Sequence, residues 1–122
     1  MDSPSDPPPR VARREAARRA RDAFPPMGIY AIRDLQSGRV LLGASRNVHA
    51  SLNRARFELR MRSHSDRVLQ AAWNSSGPER FSFEVVELLK ERADPDFDYA
   101  SELKALEQIH RELLAQAGGK DE

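Results

Sequence analysis

Side chains that could recognise a phosphate backbone are concentrated in the first part of the chain. Residues 1–78 contain 14 arginines and 7 acidic residues, whereas residues 79–122 contain 6 basic and 12 acidic residues. Every basic residue of the first part is arginine, which pairs with phosphate through two parallel hydrogen bonds and stacks on bases. The asymmetry fits one electropositive face that attracts an anionic polymer. The asymmetry is equally consistent with solvated helices whose exposed surfaces happen to be rich in arginine.

The composition excludes several other kinds of site. The chain contains no cysteine, which rules out disulfides, thiolate nucleophiles and cysteine zinc sites. Its three histidines, His49, His64 and His110, are too scattered for a zinc motif. Aspartates alternate over 94–98 as in a calcium loop, but the glycine and the distal glutamate of such a loop are missing. We therefore interpret this stretch as a polar turn.

Length and hydropathy set the class of protein. A chain of 122 residues is expected to form one domain. Its apolar stretches are too short to span a bilayer, and no apolar segment follows the N-terminal arginines as it would in a secretory signal. We expect a cytoplasmic protein without a membrane partner.

Composition divides the chain into four segments. Residues 1–9 are rich in proline and serine, and we expect a disordered tail. Residues 10–26 are expected to form an arginine-rich helical extension, ended by two prolines. This helix could lie along a phosphate backbone, or it could pack on its own domain with an exposed arginine face. The domain itself is expected over 27–117, and a flexible tail over 118–122.

The strands are predicted from alternating apolar residues. Alternation and β-forming residues predict strands at 27–33, 39–42 and 81–88. Residues 34–38 supply turn chemistry between the first two strands, including a glycine suited to positive φ. The first two strands therefore form a hairpin, and the third comes after two helices.

The helices are predicted from capping residues and from helical spacing. Asn47 is expected to cap a helix that runs to about residue 61, and Ser65 to cap the second helix. The last helix is expected to begin at Tyr99 or Ser101. This order predicts an α+β fold: a small three-stranded antiparallel sheet flanked by helices, plus the N-terminal arginine-rich helix.

Apolar residues at helical spacing are the expected core. On the first helix they are Val48, Leu52, Phe57 or Ala55, Leu59 and Met61. On the later helices they are Val68, Leu69, Ala72, Trp73, Leu103, Leu106, Ile109 or His110, and Leu113. Taken alone, Tyr30 would be an ordinary half-buried strand tyrosine, and Glu107 a solvated carboxylate.

Short motifs follow one another in a definite order from Gly28 to Glu112. The first are Gly-Ile-Tyr at 28–30 and Leu-Leu-Gly at 41–43. The later ones are Ala-Ser-Arg-Asn at 44–47, Asn-Arg at 53–54, His64, Leu-Gln at 69–70, Trp-Asn at 73–74, Phe-Ser-Phe-Glu-Val at 81–85 and Glu-Gln at 107–108. This set resembles the GIY-YIG nuclease superfamily, as a divergent member in which Leu-Leu-Gly replaces Tyr-Ile-Gly.

The resemblance implies hydrolysis of a phosphodiester with one divalent cation, Mg²⁺ or Mn²⁺, held mainly by one glutamate. In the family, hairpin tyrosines position or activate the attacking water, and an arginine of the first helix stabilises the developing charge. Tyr30 stands at the first tyrosine, and Glu107 at the metal carboxylate. A single glutamate completed by substrate phosphate and waters is a normal Mg²⁺ site.

Three positions depart from the family pattern. Leu41 replaces the second tyrosine and can neither donate nor accept a proton. Ser51 stands where the helix arginine is expected, and Ala55 where a histidine is common. Since one preorganised electrostatic group contributes about 10²–10³ in rate, these departures predict strongly reduced catalysis.

Neighbouring side chains could fill the vacant roles. Arg54 lies one helical turn after Ser51, and Arg46 directly follows the hairpin. His64 is a candidate base, since histidine titrates near neutrality. The candidate catalytic residues are therefore Tyr30, Arg54 and His64, with Glu107 as metal ligand. The residues expected to bind nucleic acid are Arg14, Arg18, Arg46, Arg56 and Arg60.

Three functional hypotheses follow. The first is a divalent-metal-dependent endonuclease of GIY-YIG type that acts on DNA. The second is a catalytically inactive relative that binds nucleic acid or a protein partner through the same cleft and the N-terminal helix. The third is a regulator that binds protein alone. Salt separates the last from the others, because binding to phosphate weakens steeply as salt rises.

Overall fold

The computed structural model describes residues 23–118 and the backbone of 120–121. The expected tail over 1–9 and most of the arginine-rich extension over 10–26 lie outside these residues. Arg14 and Arg18 fall there as well, so their expected role stays a prediction.

The sheet is built around its first strand. β1 (Gly28–Asp34) pairs antiparallel with β2 (Arg39–Ser45) on one side and with β3 (Phe81–Leu88) on the other. The predicted three-stranded antiparallel sheet is confirmed. β2 is longer than the predicted 39–42, because the chain after Leu42 continues to pair with the start of β1. The predicted tail contains a two-residue strand, β4 (Lys120–Asp121), parallel to β2.

Three helices complete the fold. They are α1 (Val48–Arg60), α2 (Arg67–Ser76) and α3 (Tyr99–Gln116), and a 3-10 turn (Pro78–Arg80) precedes β3. The predicted α+β class is confirmed. In the part of the chain that the structure describes, no helix is long and apolar enough to cross a membrane.

The helix caps decide where each helix begins. Asn47 caps α1 as predicted, and its side chain accepts from the Ala50 amide. The predicted cap Ser65 of α2 is wrong. Asp66 caps that helix instead, because its carboxylate accepts from the Leu69 amide at 3.0 Å. α3 begins at Tyr99, the earlier of the two predicted starts, and Asp98 caps it.

The two faces of the sheet carry separate apolar cores, because successive side chains of a strand point to opposite sides. On one face, α1 and α2 cover a core of Ile32, Leu52, Ala55, Leu59, Leu69 and Phe81. On the other, Leu106 and Leu114 of α3 pack against Ile29, Ala31, Val40 and Leu42.

Some residues predicted to face the core are exposed. Ala55 is buried, and Phe57, its alternative, leaves 55% of its surface in solvent. Met61, Val68 and Leu113 are also more than half exposed. The sheet is small, so the outer turns of the helices extend beyond what it can cover.

A buried ion pair fixes the hairpin turn to the segment before β3. Asp34 is 6% exposed and receives two hydrogen bonds from the Arg80 guanidinium, both 2.7 Å long. The same carboxylate accepts from the amides of Gln36 and Ser37 in the turn. Gly38 closes the turn with φ +83°, which glycine adopts without steric cost. One carboxylate thus joins two segments that are distant in sequence.

Replacing this carboxylate should destabilise the fold. We expect Asp34→Ala to lower the free energy of unfolding by about 1.5–3 kcal/mol, since a hydrogen bond to a charged group contributes about that much. Urea unfolding at neutral pH measures the change. Glu91→Ala removes an exposed carboxylate and serves as the control. Equal stability of the two variants would contradict the prediction.

The Asp34–Arg80 ion pair should make part of the protein's stability sensitive to acid. The Arg80 guanidinium holds the pKa of Asp34 well below its usual range. The stabilisation is therefore complete above the unfolded aspartate pKa of about 3.9, and it declines as the pH falls below that value. The free energy of unfolding, measured by urea at several pH values below about 4, should depend less on pH in Asp34→Ala than in the wild type.

Candidate active site

A cleft lies between the hairpin, α1 and the loop that leads to α2. Its volume is about 520 Å³, and Tyr30, Arg54 and His64 all line it. Three residues that are far apart in sequence, and that were all predicted to be catalytic, therefore share one concave surface. The remaining lining residues are Leu41, Ser51, Ala55, Glu58, Ser65 and Asp66.

The ring of Tyr30 depends on the missing side chain of Gly43. These residues are directly paired across β1 and β2. A Cβ atom on Gly43 would overlap the Tyr30 ring and its hydroxyl. The glycine that ends the Leu-Leu-Gly motif therefore has a steric role, because it lets the tyrosine lie flat across the neighbouring strand.

Two carboxylates influence the Tyr30 hydroxyl. Burial raises the pKa of Tyr30 most, and the negative charges of Glu107 and Glu58 raise it further. A tyrosine with a pKa above its ordinary value of about 10 is protonated at neutral pH. The Tyr30 hydroxyl is thus available as a hydrogen-bond donor in this site.

Glu107 is held by a neighbour that the sequence did not reveal as functional. Arg111, one turn later on α3, donates to the Glu107 carboxylate at 2.7 Å. The same guanidinium nitrogen donates to the Leu42 carbonyl of β2 at 3.2 Å. The spacing of four residues was the only signal for this pair, and it occurs on many solvated helices.

The positions that depart from the family pattern are in the cleft. Leu41, Ser51 and Ala55 all line it, so their places match the expectation although their side chains do not. The Ser51 hydroxyl lies 2.6 Å from the Ser45 hydroxyl at the end of β2. A hydroxyl pair therefore occupies the place of the expected guanidinium.

Arg54 offers its guanidinium to the cleft from the next turn of α1. It forms an ion pair with Glu58 at 3.3 Å, and 80% of its side chain is exposed. An exposed pair of this kind contributes little stability, so the guanidinium can turn towards an anionic ligand. Glu58 was missed by sequence reasoning, and only its spacing of four residues from Arg54 could have indicated it.

The hydrogen bonds of His64 define its tautomer. Its Nδ1 accepts from the Asp66 amide at 3.0 Å. A neutral ring with an accepting Nδ1 carries its proton on Nε2. The remaining ring nitrogen, Nε2, is a donor in this neutral form, and the role of His64 as a base stays a prediction.

A divalent cation such as Mg²⁺ needs several oxygen ligands around one point. The described residues contain no group of three or more histidine, cysteine, aspartate or glutamate side chains that could hold a metal. The carboxylates of Glu107 and Glu58, which lie near Tyr30, are nevertheless the type of ligand that Mg²⁺ and Mn²⁺ prefer. Glu107 lies near Tyr30 but does not line the cleft, so a cation held by Glu107 would have to be completed by waters and substrate oxygens.

Three of the arginines predicted to bind nucleic acid lie in the described part of the chain, and they occupy two different places. Arg56 and Arg60 face a second groove, on a different side of α1 from the cleft. Arg46 lies near Asp98, whose pKa is lowered mainly by hydrogen bonds from Ser101 and to a smaller extent by the charge of Arg46.

Comparison with known proteins supports the fold. No protein-family model matches the chain, and no curated protein is significantly similar. The catalytic domain of the homing endonuclease I-TevI matches with a TM-score of 0.58 and 21% identity over 78% of this chain and 96% of that domain. The chain has a divergent GIY-YIG-like fold. A glutamate-to-alanine mutant of the intron endonuclease I-TevI catalytic domain matches this GIY-YIG-like chain with a TM-score of 0.56 and 20% identity, over 77% of this chain and 90% of that one.

The titration of Tyr30 tests the electrostatics of the site. Glu107→Gln should lower the pKa of Tyr30, because one of the negative charges that disfavour the phenolate is removed. The pKa should remain above the ordinary value, since burial is its largest cause. Ultraviolet absorbance of tyrosinate in a Tyr99→Phe background isolates this residue, because the chain has two tyrosines. An unchanged pKa would place Glu107 too far away to matter.

Gly43→Ala tests the steric role of the glycine. The added methyl group should displace the Tyr30 ring and cost about 1–3 kcal/mol of unfolding free energy, as overpacking usually does. In a Tyr30→Ala background the same substitution should cost far less, and a double-mutant cycle by urea unfolding measures the difference. Additive costs would disprove the contact.

Proposed function

We propose that this protein hydrolyses phosphodiester bonds in DNA with the help of a divalent cation. The observation that carries the proposal is the shared cleft of Tyr30, Arg54 and His64, with Glu107 close enough to act on the Tyr30 hydroxyl. The structural neighbours are catalytic domains of an endonuclease, and homing endonucleases act on DNA.

The charge of the cleft supports a requirement for metal. Among the described residues that line it, Glu58 and Asp66 are acidic, and Arg54 is the one full cation. Glu107 adds a further carboxylate nearby, although Arg111 neutralises part of its charge. A phosphodiester would meet net negative charge here unless a cation accompanied it. Binding in this cleft is therefore expected to need Mg²⁺ or Mn²⁺.

Each side chain of the cleft has a distinct task in the proposed reaction. The protonated Tyr30 hydroxyl orients the attacking water or a phosphate oxygen by donating a hydrogen bond. His64 donates through Nε2 to a non-bridging oxygen. Arg54 leaves Glu58 and stabilises the charge that develops on the phosphate.

The carboxylates divide two further tasks. Glu107 would hold the cation, which supplies Lewis-acid stabilisation of the phosphate when bound. Glu58, freed from Arg54, accepts the proton of the attacking water as the water oxygen bonds to phosphorus. The bond between phosphorus and the leaving deoxyribose oxygen breaks, and that oxygen takes up a proton from solvent. Both members of the Arg54–Glu58 ion pair thus take part in the proposed reaction.

A second candidate is binding of DNA without hydrolysis. It is favoured by Leu41 and Ser51, which leave two groups of the family machinery absent, and by Arg111, which competes with a cation for Glu107. Groups that act as a unit do not contribute additively, so the combined loss in rate is not a simple product.

Cleavage and gel-shift assays on labelled single-stranded, duplex and branched DNA test the first candidate. With Mg²⁺ or Mn²⁺ we expect slow formation of products that EDTA abolishes. Glu107→Ala and Glu58→Gln should each lower the rate by about 10²-fold or more. Tyr30→Phe should lower it by a comparable factor, since only the hydroxyl is removed.

The matched control is Glu91→Gln, which neutralises an exposed carboxylate outside the cleft. Restoring the family groups with Leu41→Tyr and Ser51→Arg should raise the rate. Salt-sensitive binding without products, unaffected by Glu107→Ala, would establish the second candidate. If the protein neither binds DNA nor forms products, both candidates are overturned.

A further inference from the structure

A second groove lies on the other side of α1. It has a volume of about 740 Å³, within the range of about 300–1,000 Å³ that is typical of ligand pockets. Its lining includes the arginines Arg56, Arg60 and Arg62 and the aromatic residues Trp73, Phe81 and Phe83. No lining residue is acidic, so the groove is complementary to an anion.

The floor of the groove is aromatic. Trp73 stacks on Phe81 with a centroid distance of 5.8 Å and meets Phe83 edge to face at 6.3 Å. The Arg56 guanidinium lies 4.4 Å from the centre of the Phe83 ring and donates to Asn53 at 3.3 Å. The face of the Arg56 guanidinium that points away from Phe83 extends the aromatic surface, because a base can stack on a guanidinium group.

The rim carries cations that no acidic side chain neutralises. Neither Arg60 nor Arg62 forms an ion pair with another residue in the described ranges, and both are exposed. Arg62 has φ +60°, a left-handed conformation that arginine rarely adopts. This conformation ends α1 in a position that glycine usually occupies, since the next amide, that of Ser63, bonds back to Glu58. Such a local cost points to a functional reason for the side chain.

The groove is connected to the catalytic cleft. A depression over the α1–α2 loop shares Arg62 and Asn74 with the groove, and His64 and Ser65 with the cleft. Arg67 adds another cation to this passage. A strand that leaves the groove can therefore follow a basic path around the end of α1 to the cleft.

We propose that the groove binds unpaired nucleotides of a DNA strand, with bases against Trp73 and Arg56 and phosphates on Arg60 and Arg62. Base faces are accessible only in unpaired nucleotides, and aromatic floors with basic rims are the usual way of holding them. The substrate class is then DNA with a single-stranded flank whose phosphodiester reaches the cleft. This deepens the proposed function and rests on it for the cleavage step alone.

Intrinsic fluorescence tests the binding directly, because Trp73 is the sole tryptophan of the chain. The full chain is titrated in EDTA with oligothymidylate, with a blunt duplex and with an abasic strand of equal length. Oligothymidylate should quench the fluorescence to saturation. The abasic strand should bind about tenfold more weakly or worse, since stacking on each base contributes strongly.

Variants separate the groove from general charge effects. Arg60→Ala and Arg62→Ala should each weaken single-strand binding and lower the salt dependence of log K by about 0.7. Lys104→Ala, on α3, removes an exposed cation and should leave both unchanged. Phe83→Leu should weaken the binding of oligothymidylate more than that of the abasic strand.

Arg62→Gly separates a role of the Arg62 side chain in binding from an effect on stability. Glycine suits the left-handed conformation, so the midpoint of thermal unfolding should rise by roughly 2–8 °C. Affinity for oligothymidylate should nevertheless fall as in Arg62→Ala. A stabilised variant with undiminished affinity would overturn the role of Arg62.

The remaining outcomes overturn the proposal itself. Equal affinity for the blunt duplex, or for the abasic strand, would mean that the groove does not read unpaired bases. Absence of quenching by any strand would exclude DNA from the groove. Since EDTA suppresses cleavage, single-strand binding can succeed where hydrolysis fails, and the two proposals are tested apart.

Discussion

The structure depends on hydrogen bonding along both edges of β1. A strand paired on both sides cannot shift its register without breaking two ladders, so its alternation of side chains is firmly set. Ile29 and Ala31 belong to the core under α3, whereas Ile32 belongs to the core under α1 and α2. Tyr30 is directed by the same alternation to the side of the cleft. The candidate chemistry is thus a consequence of the strand's register.

α1 separates two surfaces of opposite character. Residues at positions 51, 54 and 58 face the cleft, where carboxylates outnumber cations. Residues at 56 and 60 face the groove, which has no acidic lining. A helix with 3.6 residues per turn produces this division without any other device. The proposed hydrolysis would use the first surface, and the proposed binding of a single strand would use the second.

At two places the sequence could not decide between neighbouring residues of similar propensity: the cap of α2, where the predicted Ser65 was wrong, and the inner face of α1, where Ala55 and Phe57 were both left open. Ser65 and Asp66 are both good caps, and only the path of the loop decides which one reaches the Leu69 amide. Ala55 and Phe57 both suited the inner face of α1, and the close approach of the helix to the sheet selected the smaller side chain. Such choices depend on distances between elements, which no local pattern contains.

The sequence by itself determined the element order, the α+β class, the Asn47 cap and the grouping of Tyr30, Arg54 and His64. Hydrophobic period, turn chemistry and ordered motifs are local properties, so they can be read along the chain. Only the tertiary structure decided the pairing of Asp34 with Arg80, the restraint of Glu107 by Arg111, the hydrogen bond from the Asp66 amide to His64 and the two different surfaces on either side of α1. These depend on contacts between segments far apart in sequence, or on hydrogen-bond geometry that residue types alone do not specify.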